Sequence, residues 1–207
     1  MLLLLLALTG DTLRVLPTDR PPTFDGRAAE GEYGAPTLEI IRAGGTARLW
    51  LRRDGPWVYL AALIPDSSLY WGDDLVISLD TRGDRAAGPM HDDFQWYFRR
   101  VLDSSVVQRG EAGRWRMPRD DPDWRLGPER EGGGWEVRSV SEAGGWSLEF
   151  RLDAGYFQQG GAELAGLSVR LYDDDPHGWV AWPAAAVKHP TEVERRPDLW
   201  APVSLTP

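Results

Sequence analysis

Short stretches in which apolar and polar residues alternate run along most of the chain, and this alternation is typical of β-strands with one face on a core. In the clearest stretch, residues 146–153, the apolar side chains of Trp146, Leu148, Phe150 and Leu152 alternate with polar ones. Similar stretches bounded by Gly, Pro and Asp predict further strands. They are residues 46–53, 57–64, 75–80, 94–102, 105–108, 135–140 and 167–172.

This succession of short strands predicts an all-β fold, a two-sheet antiparallel β-sandwich of the jelly-roll or immunoglobulin-like kind. The one helical candidate is a single turn at residues 153–158, capped by Asp153. Without an internal repeat or a low-complexity linker, residues 11–207 are predicted to form a single domain. Two long polar loops, residues 83–93 and 110–134, have the length at which loops commonly bind a ligand.

Composition removes several classes of function. The chain has no cysteine, which excludes disulfides, thiolate metal sites and cysteine nucleophiles. Its formal net charge of -9 argues against nucleic acid as a partner, because phosphate binding needs clustered Lys and Arg. Eleven tryptophans are unusual, and we expect some in the core and some on the surface.

The first ten residues contain an apolar run, Leu2 to Leu8, that is far too short to span a membrane. It has the character of the apolar part of a secretory signal without a positive flank. Residues 1–10 are therefore predicted to be a truncated signal segment of a secreted or periplasmic protein. A buried first strand or a cytoplasmic terminus is the alternative.

Five stretches, in order, resemble family 9 carbohydrate-binding-module-like domains and the related DOMON-like group. They are residues 23–33 (TFDGRAAEGEY), 54–66 (DGPWVYLAALIPD), 71–80 (WGDDLVISLD), 146–152 (WSLEFRL) and 167–182, which ends in HGWVAW. The resemblance implies a β-sandwich in an exported protein. It leaves the ligand open, because related sandwich domains bind different ligands.

In sugar-binding members of this family, two tryptophans hold a sugar ring between their faces. The resemblance maps the first to Trp71 and the second to Trp179 or Trp182, and Trp124 in the second long loop is a further ligand-binding candidate. Val76 departs from the family, since it stands where sugar-binding members use a Glu on a hydroxyl. Because valine cannot accept a hydrogen bond, the resemblance implies a remodelled sugar site.

Two other ligands are suggested by the residues. Acidic clusters offer the oxygen ligands that calcium prefers, and the best of them for a structural Ca²⁺ is Asp173, Asp174 and Asp175 at a strand end, with a solvated acidic loop as the alternative. Some members of the wider group hold haem b through methionine and lysine, and Met90 and Lys188 offer that axial pair.

Catalysis is not favoured by any motif, because the strings typical of hydrolases, metalloproteases and nucleotide-binding enzymes are missing. A glycosidase stays open, since its paired carboxylates need proximity in space and not in sequence. We therefore expect a non-catalytic module that binds a carbohydrate. The alternatives are a haem b electron-transfer domain and an interaction domain with no small-molecule ligand.

Overall fold

The computed structural model describes residues 12–116, 134–157, 163–174, 177–183 and 195–205. Within these ranges a short helix, α1 (Glu30–Tyr33), follows the first two strands. Single 3₁₀ turns lie at Arg100–Leu102, Ala154–Phe157 and Pro197–Leu199. The strands are β1 (Leu13–Arg14), β2 (Leu16–Pro17), β3 (Leu38–Arg42), β4 (Gly45–Asp54), β5 (Trp57–Pro65), β6 (Asp74–Asp80), β7 (Asp93–Arg99), β8 (Ser104–Glu111), β9 (Arg114–Trp115), β10 (Trp135–Glu142), β11 (Gly145–Asp153), β12 (Ala165–Asp174), β13 (His177–Trp182) and β14 (Ala201–Ser204).

In the described residues these strands form two sheets, and the all-β expectation is confirmed. The larger sheet has the order β1-β14-β12-β6-β7-β8-β9, with β13 also pairing with β12. The smaller sheet has the order β10-β11-β5-β4-β2, with β3 also pairing with β4. Most neighbours are antiparallel as expected, but β1 with β14 and β2 with β4 are short parallel pairs.

The main core lies between the two sheets and follows the alternation of the sequence. Along β11 the buried side chains of Trp146, Leu148, Phe150 and Leu152 belong to this core. In β6 the core residues are Leu75, Ile77 and Leu79. An extended strand sends successive side chains to opposite faces, so the apolar set of each strand falls on the side where the sheets meet.

Some elements differ from the sequence-based expectation. The helical turn expected at residues 153–158 is a 3₁₀ turn, Ala154–Phe157, and Asp153 Oδ1 accepts a hydrogen bond from Gly155 N at 2.7 Å. Strand β7 ends at Arg99, before a 3₁₀ turn and Asp103 with its positive φ of 45°, so it is shorter than expected. Helix α1 and strands β1, β2, β3, β9, β13 and β14 were not expected, and β9 with the end of β8 lies in the stretch predicted as the second long loop. Among the described residues, no helix has the length and apolarity needed to cross a membrane.

Part of the outer face of the smaller sheet is buried along β11, although the sequence predicted a strand with one polar, half-buried face. Glu149 points to this face and is fully buried. Its Oε2 accepts hydrogen bonds from Asp25 N at 2.8 Å and Gly26 N at 2.6 Å, and its Oε1 accepts one from the Tyr33 hydroxyl. The segment before β3 thus covers this face and is fastened to it through one carboxylate.

Replacing Glu149 by Ala is expected to lower the free energy of unfolding by about 3 kcal/mol, because two backbone N–H groups and a buried hydroxyl lose their acceptor. Glu149→Gln is expected to recover most of this loss, since an amide can accept from the backbone and donate to the Tyr33 oxygen. Urea unfolding measures both.

The matched control is Glu142→Ala, which removes only the exposed ion pair with Arg27 and should cost less than about 1 kcal/mol. Equal losses in Glu149→Ala and Glu142→Ala would contradict the fastening role of Glu149.

Candidate ligand-binding face

The outer face of the larger sheet is formed by the side chains of β6, β7, β12 and β13 that point away from the core. Val76 is at its centre, because the register pairs it with Arg170 of β12 on one side and Tyr97 of β7 on the other. Val76 and Arg170 are both buried. Burial lowers the pKa of Arg170 to about 9. A cationic side chain therefore lies beside an apolar one in the middle of this face.

The register of β13 separates the two tryptophans proposed for the second clamp position. Trp179 pairs with Tyr172, while Trp182 pairs with Val169 of the main core. Residues opposite each other on paired strands project to the same face. Trp179 therefore lies on the outer face, and Trp182 packs against the core.

Trp179 joins a group of rings and a cation. The rings of Trp179 and Tyr172 pack edge to face with their centroids 5.4 Å apart. The rings of Trp179 and Tyr97 also pack edge to face, with their centroids 6.2 Å apart. The guanidinium carbon of Arg170 is 4.3 Å from the centre of the Trp179 ring, within the range of a cation–π contact. These contacts fix the orientation of the half-buried indole on the sheet.

Trp71 differs from the other tryptophans that the structure describes, because it alone has an exposed side chain, at 57%. It lies in the turn that leads into β6. The guanidinium carbon of Arg99 is 5.0 Å from the centre of its ring and 5.5 Å from that of Tyr97. Since Tyr97 also contacts Trp179, Trp71 and Trp179 belong to one connected group.

Asp74 connects the polar members of this group. Its Oδ2 accepts a hydrogen bond from the Tyr97 hydroxyl at 2.6 Å, and its Oδ1 is 3.4 Å from Arg99 Nε. Burial raises the pKa of Asp74. Burial, and then the hydrogen bond to Asp74, raise the pKa of Tyr97 to about 12, so the phenol stays a donor at neutral pH.

The loop that carries Trp71 is anchored by Arg100. Its Nη1 donates to Ser68 O at 2.6 Å and to Asp73 Oδ2 at 3.0 Å. The same Asp73 oxygen accepts a hydrogen bond from Tyr70 N at 2.8 Å. Hydrogen bonds to charged groups are among the stronger ones in proteins. The backbone on both sides of Trp71 is therefore held while its indole stays exposed.

The remaining predicted site residues are placed as follows. Trp124, Lys188 and Asp175 lie outside the described residues, and Asp173 and Asp174 end β12 with side chains that are also outside the description. Met90 is 36% exposed in the loop between β6 and β7, and its backbone N–H donates to Asp93 Oδ2 at 2.6 Å. Calcium at Asp173 to Asp175 and haem b at Met90 and Lys188 stay predictions.

Four members of this face were not singled out by sequence reasoning: Tyr97, Arg99, Arg170 and Tyr172. The signal that could have found them is the two-residue alternation. Because Leu167, Val169 and Leu171 form the core side of β12, Arg170 and Tyr172 must point outward. The same argument applies to β7, where Trp96 and Phe98 face the core.

Comparison with solved structures places this geometry in a known architecture. The chain is similar to a family 9 carbohydrate-binding module from Caldicellulosiruptor kristjanssonii in complex with cellotriose, at 14% identity, over 93% of each chain, with a TM-score of 0.58. The complex of such a module with glucose has 13% identity and a TM-score of 0.56, over 93% of this chain and 95% of the other. Neither the known protein families nor the curated proteins match the sequence. The chain thus has the β-sandwich fold of family 9 carbohydrate-binding modules.

Gly72→Ala is expected to disturb this face, because an added Cβ would lie 2.8 Å from Tyr172 Cε1 and 2.9 Å from Cδ1. The Tyr172 ring contacts Trp179, so the substitution should shift tryptophan emission and cost about 1–3 kcal/mol of stability. Fluorescence and urea unfolding measure both effects.

Gly31→Ala in α1 is the matched control, since an added Cβ there meets nothing within 4 Å. It should leave the emission unchanged and be neutral or stabilising by up to about 1 kcal/mol. Identical behaviour of the two variants would refute the tight packing of Gly72 on Tyr172.

Proposed function

We propose that this chain is a non-catalytic, exported module that binds a saccharide on the outer face of the larger sheet, with Trp71 and Trp179 as its aromatic platform. The observation that carries the proposal is the exposed indole of Trp71, held by an anchored turn and connected to Trp179 through Arg99 and Tyr97. The shared fold with modules solved in complex with cellotriose and glucose supports the choice of ligand class.

The chemistry of the face suits a sugar. The C–H faces of a pyranose ring pack on indole, and a few placed polar groups orient its hydroxyls, as in small-molecule sites generally. Here the polar groups beside the aromatic rings include Arg99, Arg170 and the Tyr97 hydroxyl. A ligand stacked on Trp71 would therefore lie beside the guanidinium donors of Arg99.

Val76 changes how such a ligand would be held. Since valine offers no acceptor, the hydrogen-bonding groups paired directly beside it are those of Arg170 and Tyr97. Guanidinium groups donate and never accept. The proposed ligand is thus recognised more through its oxygen acceptors than through its hydroxyl hydrogens.

The proposal that the module is not an enzyme rests on the contacts that the Asp74 carboxylate makes. A glycosidase places two carboxyl groups on opposite sides of the bond that it cleaves. Asp74, which lies beside the rings, is engaged by Tyr97 and Arg99. These contacts give it a positioning role on this face.

Export is the part of the proposal that rests on the apolar run at Leu2 to Leu8. It predicts that the protein recovered from the periplasm or medium begins close to residue 10, which N-terminal sequencing would show.

Titration with cellotriose, glucose and a panel of other oligosaccharides should shift tryptophan emission in the wild type, because a sugar would displace water from Trp71. In Trp71→Ala the affinity should fall at least about tenfold, the equivalent of ~1.4 kcal/mol. Because Trp71 is exposed, its removal should leave the free energy of unfolding nearly unchanged.

The control is Trp57→Ala, which removes a half-buried indole in the other sheet and should leave affinity unchanged. This indole packs against a second hydrophobic cluster, formed by Ala28, Tyr33, Trp50, Tyr59 and Ala61. The proposal is wrong if no saccharide shifts the emission, or if Trp71→Ala binds as tightly as the wild type.

A further inference from the structure

Arg99 brings a positive charge into the aromatic group on the outer face of the larger sheet. It is the last residue of β7, and its side chain is 32% exposed. Its guanidinium carbon is 5.0 Å from the centre of the Trp71 ring and 5.5 Å from that of Tyr97. The N–H donors of a planar guanidinium lie at its edge, so packing on aromatic rings leaves them available. Arg99 therefore keeps donors that can reach a ligand lying on Trp71.

The ion pair with Asp74 uses only part of the capacity of Arg99. Asp74 Oδ1 is 3.4 Å from Arg99 Nε, and within the described residues neither of these buried atoms has a hydrogen-bond partner. The other oxygen of Asp74 accepts from the Tyr97 hydroxyl at 2.6 Å. Hydrogen bonds from a guanidinium to a carboxylate are among the strong ones in proteins. Since Asp74 forms none with Nε, the guanidinium keeps the capacity to bind a second carboxylate.

A second guanidinium packs on the other tryptophan of the platform. The guanidinium carbon of Arg170 is 4.3 Å from the centre of the Trp179 ring. Burial lowers the pKa of Arg170 to about 9, so the side chain is still a cation at neutral pH. Val76, which pairs with Arg170 on one side and Tyr97 on the other, brings no negative charge to the position between them. Each platform tryptophan thus carries a cation, and the centre of the face is apolar.

We infer that the saccharide bound on this face carries a carboxylate, as a uronic acid unit does, and that Arg99 determines this specificity. The inference rests on the proposed saccharide-binding function and names the class of sugar. The C–H face of the sugar would pack on Trp71 while its carboxylate accepts from the terminal nitrogens of Arg99, in the two-point geometry that guanidinium and carboxylate groups share. A neutral sugar would form only single hydrogen bonds there, without the contribution of the ligand charge.

The formal net charge of -9 does not exclude such a ligand. At physiological ionic strength, charges on the surface are largely screened beyond about 8 Å. A carboxylate on Trp71 would be in direct contact with Arg99, whose guanidinium is partly shielded from water by two rings. The local cation therefore contributes more to binding than the distant acidic residues.

Titrations with trigalacturonate and with its methyl ester, followed by tryptophan emission, test the inference because the two ligands differ only in the charge of the carboxyl groups. The acid should bind the wild type at least about tenfold more tightly than the ester, as expected for a hydrogen bond between charged groups. Raising the NaCl concentration should weaken binding of the acid and have little effect on the ester.

Three variants assign the preference to one side chain. In Arg99→Gln the ratio of the two affinities should fall close to one, because the charge is lost. Arg99→Lys keeps the charge without the two-point geometry and should give an intermediate ratio. Arg138→Gln makes the same charge change at an exposed position in β10 of the other sheet and should keep the wild-type ratio. A general weakening of the face affects both ligands and cancels in the ratio.

The possible failures are distinguishable. If the wild type binds the acid no more tightly than the ester, or if Arg99→Gln keeps the preference for the acid, the inference is wrong while saccharide binding stands. If neither galacturonide shifts the emission and no neutral saccharide such as cellotriose does so, the proposed function is itself wrong.

Discussion

The two-residue repeat of the extended strand is the constraint on which this structure depends. It places the apolar half of each strand between the sheets and sends the other half to an outer face. In this protein parts of both outer faces are themselves buried, so polar residues such as Glu149 and Asp74 need partners out of water. Glu149 finds them in the segment before β3, and Asp74 finds them in Tyr97 and Arg99. Each outer face is consequently organised around a buried carboxylate.

This constraint explains which parts of the fold could be predicted from the sequence. β11 and β6 were predicted because their apolar side chains recur at every second position, and those recurring side chains point to the same core. Helix α1 was missed because its four residues, EGEY, are too few to show a helical period. The burial of Ser147 and Glu149 could not be predicted either, since the residues that cover them are more than 100 positions away in sequence.

The residues of the candidate site also divide into those that the sequence could predict and those that it could not. The resemblance pointed to Trp71, and the structure shows it as an exposed ring on an anchored turn. Trp179 and Trp182 are three positions apart, an odd spacing that places them on opposite faces of one strand. Choosing between them as the second ligand-binding tryptophan therefore required β13 to be predicted as a strand.

The parallel pairing of β1 with β14 has a consequence for the order in which the larger sheet can be completed. Leu13 lies beside Val203 at the edge of the larger sheet, so the first and last strands of the described chain run side by side in the same direction. Contacts between residues far apart in sequence gain stability only after the entropy cost of closing the chain between them has been met. The edge strand β1 is therefore held by hydrogen bonds that exist only once the last strand has been placed.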